Sequence, residues 1–390
     1  MTPTTGVWFV GARGSVATTA TVGALALRDG IAGPGGGTGC VAELPEVAAA
    51  RLPDVGELLI GGHDVSGTSL PKRAEMLAQG GVLPARLPEV LAGELAEVDA
   101  RLRPGAGPAT DATQREAADR IEADLRAFQA EHRLRRVIVV DVSSTEPPLA
   151  EDPRLDSLAA LERALDAGEA PLPPSSLYAY AAFRAGCPVV AFTPSPGPRV
   201  PAVAELARER GLPWAGSDGK TGETLLKSML APLFTMRALR VRSWSSTNLL
   251  GGGDGQTLAD PASAASKTVS KARGLESMLG HPVDGPLHID YVPDLGDWKT
   301  AWDHVSFEGF LGVRMSLQFT WAGCDSALAA PLVLDLVRLT ARAQEAGETG
   351  PLAALGFFFK DPAGSDEHRL PAQWDALTAW CARLGAEGAA

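Results

Sequence analysis

Short apolar runs alternate with helix-compatible stretches along the first 235 residues of the chain. Most of these runs end in glycine or in a polar turn, and the run at 136–142 is an unbroken β-branched segment typical of a strand buried on both faces of a parallel sheet. The predicted strands are 6–10, 57–60, 136–142 and 188–192, and the predicted helices are 15–27, 84–103, 114–132 and 176–185. Strands that alternate with helices predict an α/β fold with a doubly wound parallel sheet and right-handed crossovers. The glycine- and proline-rich stretch 31–56 is predicted to be a long surface insertion.

The pattern changes after about residue 235, where alternating positions predict a smaller α+β module with an antiparallel sheet. Its predicted elements are strands at 238–245, 287–292 and 313–320, a glycine-rich turn at 251–255 and a short helix at 261–273. A long apolar helix is predicted at 326–346, and the tail 351–390 ends in another helical stretch. We therefore predict one domain from 1–240 together with 330–390, and an inserted domain at 241–329.

Composition narrows the class of protein. A chain of 390 residues that is 45% hydrophobic can bury a sizeable core. The net charge of −12 argues against a nucleic-acid partner. No apolar run reaches the ~18 residues of a membrane span, and the N-terminus lacks the basic region of a secretory signal. The four cysteines are scattered, and neither they nor the histidines have metal-binding spacing, which predicts no metal site and a reducing, cytoplasmic location.

The turn after the first strand reads Gly11-Ala12-Arg13-Gly14-Ser15-Val16-Ala17. Small residues between a strand and a helix let backbone amides approach a pyrophosphate at the positive end of the helix. Arg13 stands at the middle glycine position of the G-x-G-x-x-G pattern, and no clear acidic residue ends a second strand about 20 residues on. Dinucleotide binding and a plain tight turn both remain open on these residues.

The segment 266–271 carries two lysines on one face of its predicted helix. Lys267 and Lys271 are four residues apart, beside Ser266 and Ser270, and their mutual repulsion would become favourable pairing if a phosphate were bound. Two solvated surface lysines are the alternative. Other candidate polar residues are Asp218 and Thr221 at a sheet-to-helix junction, Lys299 in a turn after a strand, Asp325-Ser326 as a helix N-cap, and Lys360 after three phenylalanines.

Taken in order, these segments resemble the myo-inositol-1-phosphate synthase family, also called inositol-3-phosphate synthases. The densest matches are Ser243 to Gly255, the Ser-Lys-x-x-Ser-Lys of 266–271, Tyr291 to Lys299, Asp303 to Gly312, and Asp325-Ser326-x-Leu328-Ala329-x-Pro331. Gly61-Gly62-x-Asp64, Thr145-Glu146 and Asp218-x-Lys220-Thr221-Gly222 also match, so the likeness covers most of residues 6–360.

The resemblance implies a Rossmann-like domain that binds NAD, an inserted domain for catalysis and subunit contacts, and a homotetramer. It implies catalytic roles for Lys267, Lys271, Lys299, Asp218 and Asp325, and substrate binding by Thr221, Asn248, Asp254 and Ser266. Cofactor contacts are implied for Gly11, Ala12, Arg13, Gly14, Ser15, Asp64, Ser144, Thr145, Asp297 and Ser326. A C-terminal lysine of the family aligns near Glu367 or His368, and we take Lys360 as the candidate for that charge. The first glycine turn and Gly251-Gly252-Gly253 also depart from the family pattern.

The family converts glucose 6-phosphate to an inositol phosphate with no net redox change. By resemblance, the sugar is oxidised at C5, enolised, closed by an intramolecular aldol step and reduced again. Ammonium groups aimed at the oxygens that gain charge would stabilise these steps, and clustered lysines lower one another's pKa. The rival hypotheses are a related cyclase for another sugar phosphate, a simple dehydrogenase, and an inactive NAD-binding or scaffolding protein.

Overall fold

The computed structural model describes residues 4–33, 37–107, 110–252 and 275–387. The strands are β1 (Thr5–Val10), β2 (Leu58–Asp64), β3 (Leu102–Pro104), β4 (Arg136–Asp141), β5 (Val189–Ala191), β6 (Pro213–Gly216), β7 (Arg240–Leu250), β8 (Leu287–Tyr291), β9 (Trp298–Glu308), β10 (Arg314–Cys324) and β11 (Gly350–Pro351). The helices are α1 (Ser15–Arg28), α2 (Pro45–Ala48), α3 (Leu70–Gln79), α4 (Leu87–Val90), α5 (Ala92–Ala100), α6 (Gln114–Glu131), α7 (Leu158–Asp166), α8 (Pro174–Ala185), α9 (Pro201–Glu209), α10 (Glu223–Met236), α11 (Asp325–Glu345) and α12 (Leu370–Glu387), with a short helical segment at 275–279.

The larger sheet has seven parallel strands in the order β11-β6-β5-β4-β1-β2-β3. The chain runs outward from β1 to β2 and β3, then returns to β4 on the other side of β1. The order therefore reverses between β1 and β4, which is where doubly wound sheets bind ligands at the carboxyl ends of their strands. The predicted fold class is confirmed.

Two hydrophobic cores cover the faces of this sheet. Strand β1 is buried along its whole length, with Val7 and Phe9 in the core that includes α1, α3 and α11. Trp8 and Val10 point to the opposite face and pack with α6, α8 and α9. A strand buried on both faces needs the unbroken apolar run that the sequence shows at this point.

The smaller sheet is mixed, which corrects the predicted antiparallel arrangement. Its order is β10-β9-β7-β8, with β9 antiparallel to both neighbours and β8 parallel to β7. Strand β9 lies in the middle of the sheet, although the sequence analysis predicted no strand there. Phe234 of α10 packs on Trp244 and Val305 in the core beneath this sheet.

The predicted surface insertion at 31–56 is wrong for its second half. Ala42, Val47 and Ala50 are buried, and the segment includes α2. The carboxylate of Asp335 in α11 accepts a 2.5 Å hydrogen bond from the backbone N–H of Val41, which ties the segment to the core. Small residues and a long-range polar contact thus hold a segment whose composition is typical of a loop.

Several predicted bounds also change. The helix predicted at 84–103 is divided into α4 and α5, and β2 continues four residues beyond its predicted end. The helix predicted at 261–273 lies outside the described residues. The domain division stays a prediction, and α11 runs across its second boundary.

The four cysteines are buried and unbridged. Among the helices within the described ranges, none combines the length and apolarity that crossing a membrane requires.

Candidate active site

A cavity of about 340 Å³ lies at the carboxyl ends of the strands where the sheet order reverses, and residues of both sheets line it. The loops after β1, β4 and β6 form one side, and the starts of β9 and α11 form another. The predicted site residues that line this cavity are Gly14, Ser15, Ser144, Thr145, Asp218, Thr221, Asp297, Lys299, Asp325, Ser326 and Lys360. Residues from six distant segments of the sequence therefore meet in one place.

Lys299 forms an ion pair with Asp325 on one wall of the cavity. Its Nζ lies 2.5 and 2.6 Å from the two carboxylate oxygens, and the hydroxyl of Thr221 donates to the same carboxylate at 3.0 Å. Lys299 is the second residue of β9 and not part of a turn, which corrects its predicted position. Asp325 is not the N-cap of α11 either: Cys324 holds that position, and the Asp325 side chain is used for the ion pair. The regular strand and helix fix both groups.

Lys360 forms the second ion pair with Asp218, at 2.7 Å. Two chain segments are held together by backbone hydrogen bonds in which the N–H groups of Lys360 and Asp361 donate to Asp218 and Ser217. The amide of Lys220 donates to Phe358 in the same arrangement. Lys360 thus lies in the cavity, and its equivalence to the family's C-terminal lysine stays a prediction.

Glu367 and His368, near which the family's C-terminal lysine aligns, are not part of the cavity lining. Glu367 pairs with Arg369. The Arg369 guanidinium holds the pKa of the Glu367 carboxyl at about 2, well below its usual value.

Gly222 allows Lys299 to approach the start of α10. A Cβ atom at residue 222 would lie 3.3 Å from the Lys299 Nζ and 3.0 Å from the Trp321 Nε1. These distances are shorter than ordinary van der Waals contacts, so a side chain here would displace the lysine from its ion pair.

We predict that Gly222→Ala lowers kcat/KM about tenfold. The added methyl group would shift the Lys299 ammonium by a fraction of an ångström and misalign it with a substrate in the cavity. Steady-state assays with purified variants measure the loss. Gly23→Ala is the matched control, because no atom lies within 4 Å of a Cβ at that helical position. That control should keep full activity and gain about 0.4–1 kcal/mol of stability. An equally active Gly222→Ala enzyme would contradict the role assigned to this contact.

The turn after β1 has the backbone features that a pyrophosphate site needs. Gly11 has φ +83°, and a Cβ there would lie 2.9 Å from the Ser143 Cα. Gly14 is the N-cap of α1 and supplies no side-chain cap, so the first amides of the helix face the cavity without a side-chain acceptor. Backbone amides at an uncapped helix start suit an anionic phosphate. These residues fit a bound dinucleotide.

Asp64 ends β2, so an acidic residue does follow the second strand. It lies about fifty residues beyond the turn because 29–57 separates the two elements. Its carboxylate accepts hydrogen bonds of 2.6 Å from the amides of Arg13 and Ser66. The separation therefore exceeds the about 20 residues of the dinucleotide pattern, while Asp64 itself is one of the predicted cofactor contacts.

Some predicted residues do not line the cavity. Its lining does not include Gly11, Ala12, Arg13 or Asp64. Asn248 is buried in β7, and its Nδ2 lacks an acceptor within the described ranges. The placements of Asp254, Ser266, Lys267 and Lys271 lie outside the described residues.

Charges in the described part of the cavity balance. Lys299, Lys360 and Arg73 face Asp218, Asp325 and Asp297. A surplus of positive charge for a phosphorylated sugar therefore depends on the predicted contributions of Lys267 and Lys271.

The sequence analysis missed Lys220 as a site-related residue. It is buried next to the Asp218–Lys360 pair, with its Nζ 2.5 Å from the Gln373 Oε1. Burial, assisted by the positive charge of Lys360, lowers the pKa of Lys220 to about 7. Its position in the sequence, between Asp218 and Thr221, was the signal that could have identified it as a residue of the site.

A group of buried ions at α10 was also not among the predicted site residues. The Lys227 ammonium lies 2.5 Å from Glu223 and 3.4 Å from Asp303. Burial raises the pKa of Asp303, opposed by the charge of Lys227. Trp244 donates to the same carboxylate at 2.7 Å, so this group ties α10 to β7 and β9.

Comparisons with known proteins agree on one family. A family model described as myo-inositol-1-phosphate synthase matches residues 5–382. Inositol-3-phosphate synthase 1 of Bacteroides thetaiotaomicron is 34% identical over 96% of this chain and 92% of its own. The rice protein of the same name is 27% identical over 86% of this chain and 74% of its own.

Two solved structures share the fold. Inositol-3-phosphate synthase of Caenorhabditis elegans has a TM-score of 0.84 at 24% identity, covering 99% of this chain and 86% of that one. A myo-inositol-1-phosphate synthase-related protein of Thermotoga maritima has a TM-score of 0.75 at 23% identity, covering 97% and 98%.

Proposed function

The chain belongs to the myo-inositol-1-phosphate synthase family, and from this premise we propose how its site residues carry out the family's reaction. The reaction is the NAD-dependent cyclisation of D-glucose 6-phosphate to 1D-myo-inositol 3-phosphate. The observation that carries the assignment of residues is the pair of ion pairs, Lys299–Asp325 and Lys360–Asp218, that face one cavity at the switch point of the sheet.

The lysines stabilise negative charge as it develops on sugar oxygens. Lys299 and Lys360 each carry an ammonium group held by a carboxylate, so their orientation is fixed before the substrate arrives. Thr221 and Asp325 keep Lys299 in place, and Asp218 does the same for Lys360. We propose that Lys267 and Lys271 add the positive charge that recruits the phosphate, with Ser266, Asn248 and Asp254 as further substrate contacts.

Gly11, Gly14, Ser15, Ser144 and Thr145 are the residues that would hold NAD, with Asp64, Asp297 and Ser326 around them. Bound there, NAD would supply the reversible hydride-transfer chemistry that the side chains of the chain lack. The protein's part is to fix the sugar against the cofactor and to exclude water from the cavity.

Incubation of the purified protein with NAD and glucose 6-phosphate tests the function. We expect an inositol phosphate without accumulation of NADH. Net NADH would indicate a dehydrogenase, and NAD binding without turnover would indicate an inactive NAD-binding protein. Faster conversion of a different sugar phosphate in a competition assay would indicate a related cyclase.

We also propose a homotetramer in a reducing cytoplasm. Phe310 and Leu311, at the turn between β9 and β10, are 87% and 85% exposed, and Trp302 and Met315 are exposed on the neighbouring strands. Apolar groups concentrated on one small sheet are typical of subunit interfaces. The four unbridged cysteines fit a reducing compartment. Light scattering on the purified protein would measure the assembly.

A further inference from the structure

Arg73 of α3 reaches the cavity at the point where α1 begins. It lines the cavity together with Gly14 and Ser15, and its Nη2 donates a 2.7 Å hydrogen bond to the Ser15 hydroxyl. The same hydroxyl donates to the Asp297 carboxylate at 2.9 Å. Because the Ser15 proton is used in that bond, the Ser15 oxygen is free to accept from Arg73, which fixes the guanidinium beside the turn.

Arg73 makes no direct ion pair in the part of the chain that the structure describes, and Asp297 is joined to it only through the Ser15 hydroxyl. Among the described residues, no carboxylate lies within ion-pair distance of Arg73, and its buried Nε has no hydrogen-bond acceptor. Arg13, the arginine of the turn itself, is different: it pairs with Asp99 at 3.0 Å and donates to the backbone oxygen of Ser66. A buried Nε–H without an acceptor is unfavourable, and a bound anion would supply the acceptor that this donor lacks.

The position of Arg73 identifies the class of anion. The uncapped amides of α1 and the Arg73 guanidinium face the same end of the cavity, whereas Lys299 and Lys360 come from other elements of its lining. We propose that Arg73 binds the pyrophosphate of the dinucleotide and supplies the charge that the turn, with Arg13 directed elsewhere, does not. This inference rests on the proposed function. Arginine suits the role because its planar fork donates two parallel hydrogen bonds to phosphate oxygens.

Calorimetric titration with ADP-ribose and with adenosine separates the phosphate contact from the rest of the cofactor. Arg73→Gln should weaken ADP-ribose binding about tenfold or more, the effect of losing a charge-assisted hydrogen bond. Its adenosine affinity should equal that of the unaltered protein. The affinity of Arg73→Lys for ADP-ribose should lie between those of Arg73→Gln and the unaltered protein, because lysine keeps the charge and loses the planar fork. The KM for glucose 6-phosphate at saturating NAD should stay unchanged.

Lys72→Gln is the matched control, since it removes one positive charge from the same helix at an exposed position. It should bind ADP-ribose like the unaltered protein. Equal ADP-ribose affinity in Arg73→Gln overturns the inference, as does a raised KM for glucose 6-phosphate alone. If Arg73→Gln does not fold, the ADP-ribose affinity of Arg73→Lys is compared with that of the unaltered protein, and equal affinities overturn the inference. A protein that shows the ADP-ribose effect but does not cyclise the sugar would refute the proposed function and leave this inference intact.

Discussion

Lys299→Ala is expected to lower the kcat for cyclisation of glucose 6-phosphate about 10²–10³-fold, the usual effect of removing one preorganised group that stabilises developing charge. Lys299 lies on a regular strand, is mostly buried, and contacts both oxygens of Asp325. Its loss removes the ammonium from the cavity and leaves an unbalanced aspartate in its place. Both changes disfavour an oxygen that is gaining negative charge. Steady-state kinetics with saturating NAD would measure the effect.

The fold should tolerate this substitution. The Asp325 side chain is 37% exposed, and a partly solvated ion pair contributes little to stability, so the thermal midpoint should change by a few degrees at most. Lys72→Ala, at an exposed site on α3, is the control for the loss of one positive charge. If Lys299→Ala retained more than a third of the normal kcat, the catalytic role of this lysine would be wrong.

The regular parts of the fold could be predicted because their signals are local. Strands β1 and β4 contain unbroken apolar runs. The neighbouring segments have compositions that are compatible with helices. Periodicity and turn residues depend only on neighbours in the sequence, so the parallel sheet followed from them.

Strand β9 could not be predicted in the same way. Its inward-facing positions include Asp303, which is fully buried, so the expected alternation of apolar and polar residues is broken. The charge is tolerated because Trp244, Ser246 and Lys227 surround it, and these residues come from other elements. A buried charge whose partners are distant in sequence makes a core strand resemble a loop.

The residues of the candidate site also differ in whether their neighbours in the sequence identify them. The resemblance to a family supplied Lys299, Asp325 and Asp218, which have recognisable neighbours in the sequence. Arg73 lies 58 positions from Ser15, and Lys220 lies 153 positions from Gln373, so no local pattern indicated either contact. Only the folded chain shows which arginine faces the cavity and which one is already paired.

Lys220 is expected to make stability depend on pH over a defined range. Burial lowers the pKa of Lys220 to about 7 in the folded protein, whereas the unfolded chain has the ordinary lysine pKa of 10.5. Between these values the unfolded state binds the extra proton, so stability rises as pH rises through this window. The full gain is about 4–5 kcal/mol, from 1.36 kcal/mol per unit of pKa shift. Below pH 7 both states are protonated, and the contribution is flat.

Comparison with Lys220→Met isolates this contribution, because methionine keeps a long side chain and removes the titrating group. Urea unfolding from pH 6.5 to 9.5 should show the free energy of unfolding of the unaltered protein rising relative to the variant by about 3 kcal/mol. The difference between the two proteins cancels other titrating groups, such as Cys187 and Tyr178, whose pKa values burial raises to about 12. Lys72→Met, at an exposed site, should give a difference that does not change with pH. A pH-independent difference for Lys220→Met would mean that Lys220 stays charged in the folded protein, in which case Gln373 and the surrounding backbone must solvate a full ammonium charge beside Lys360.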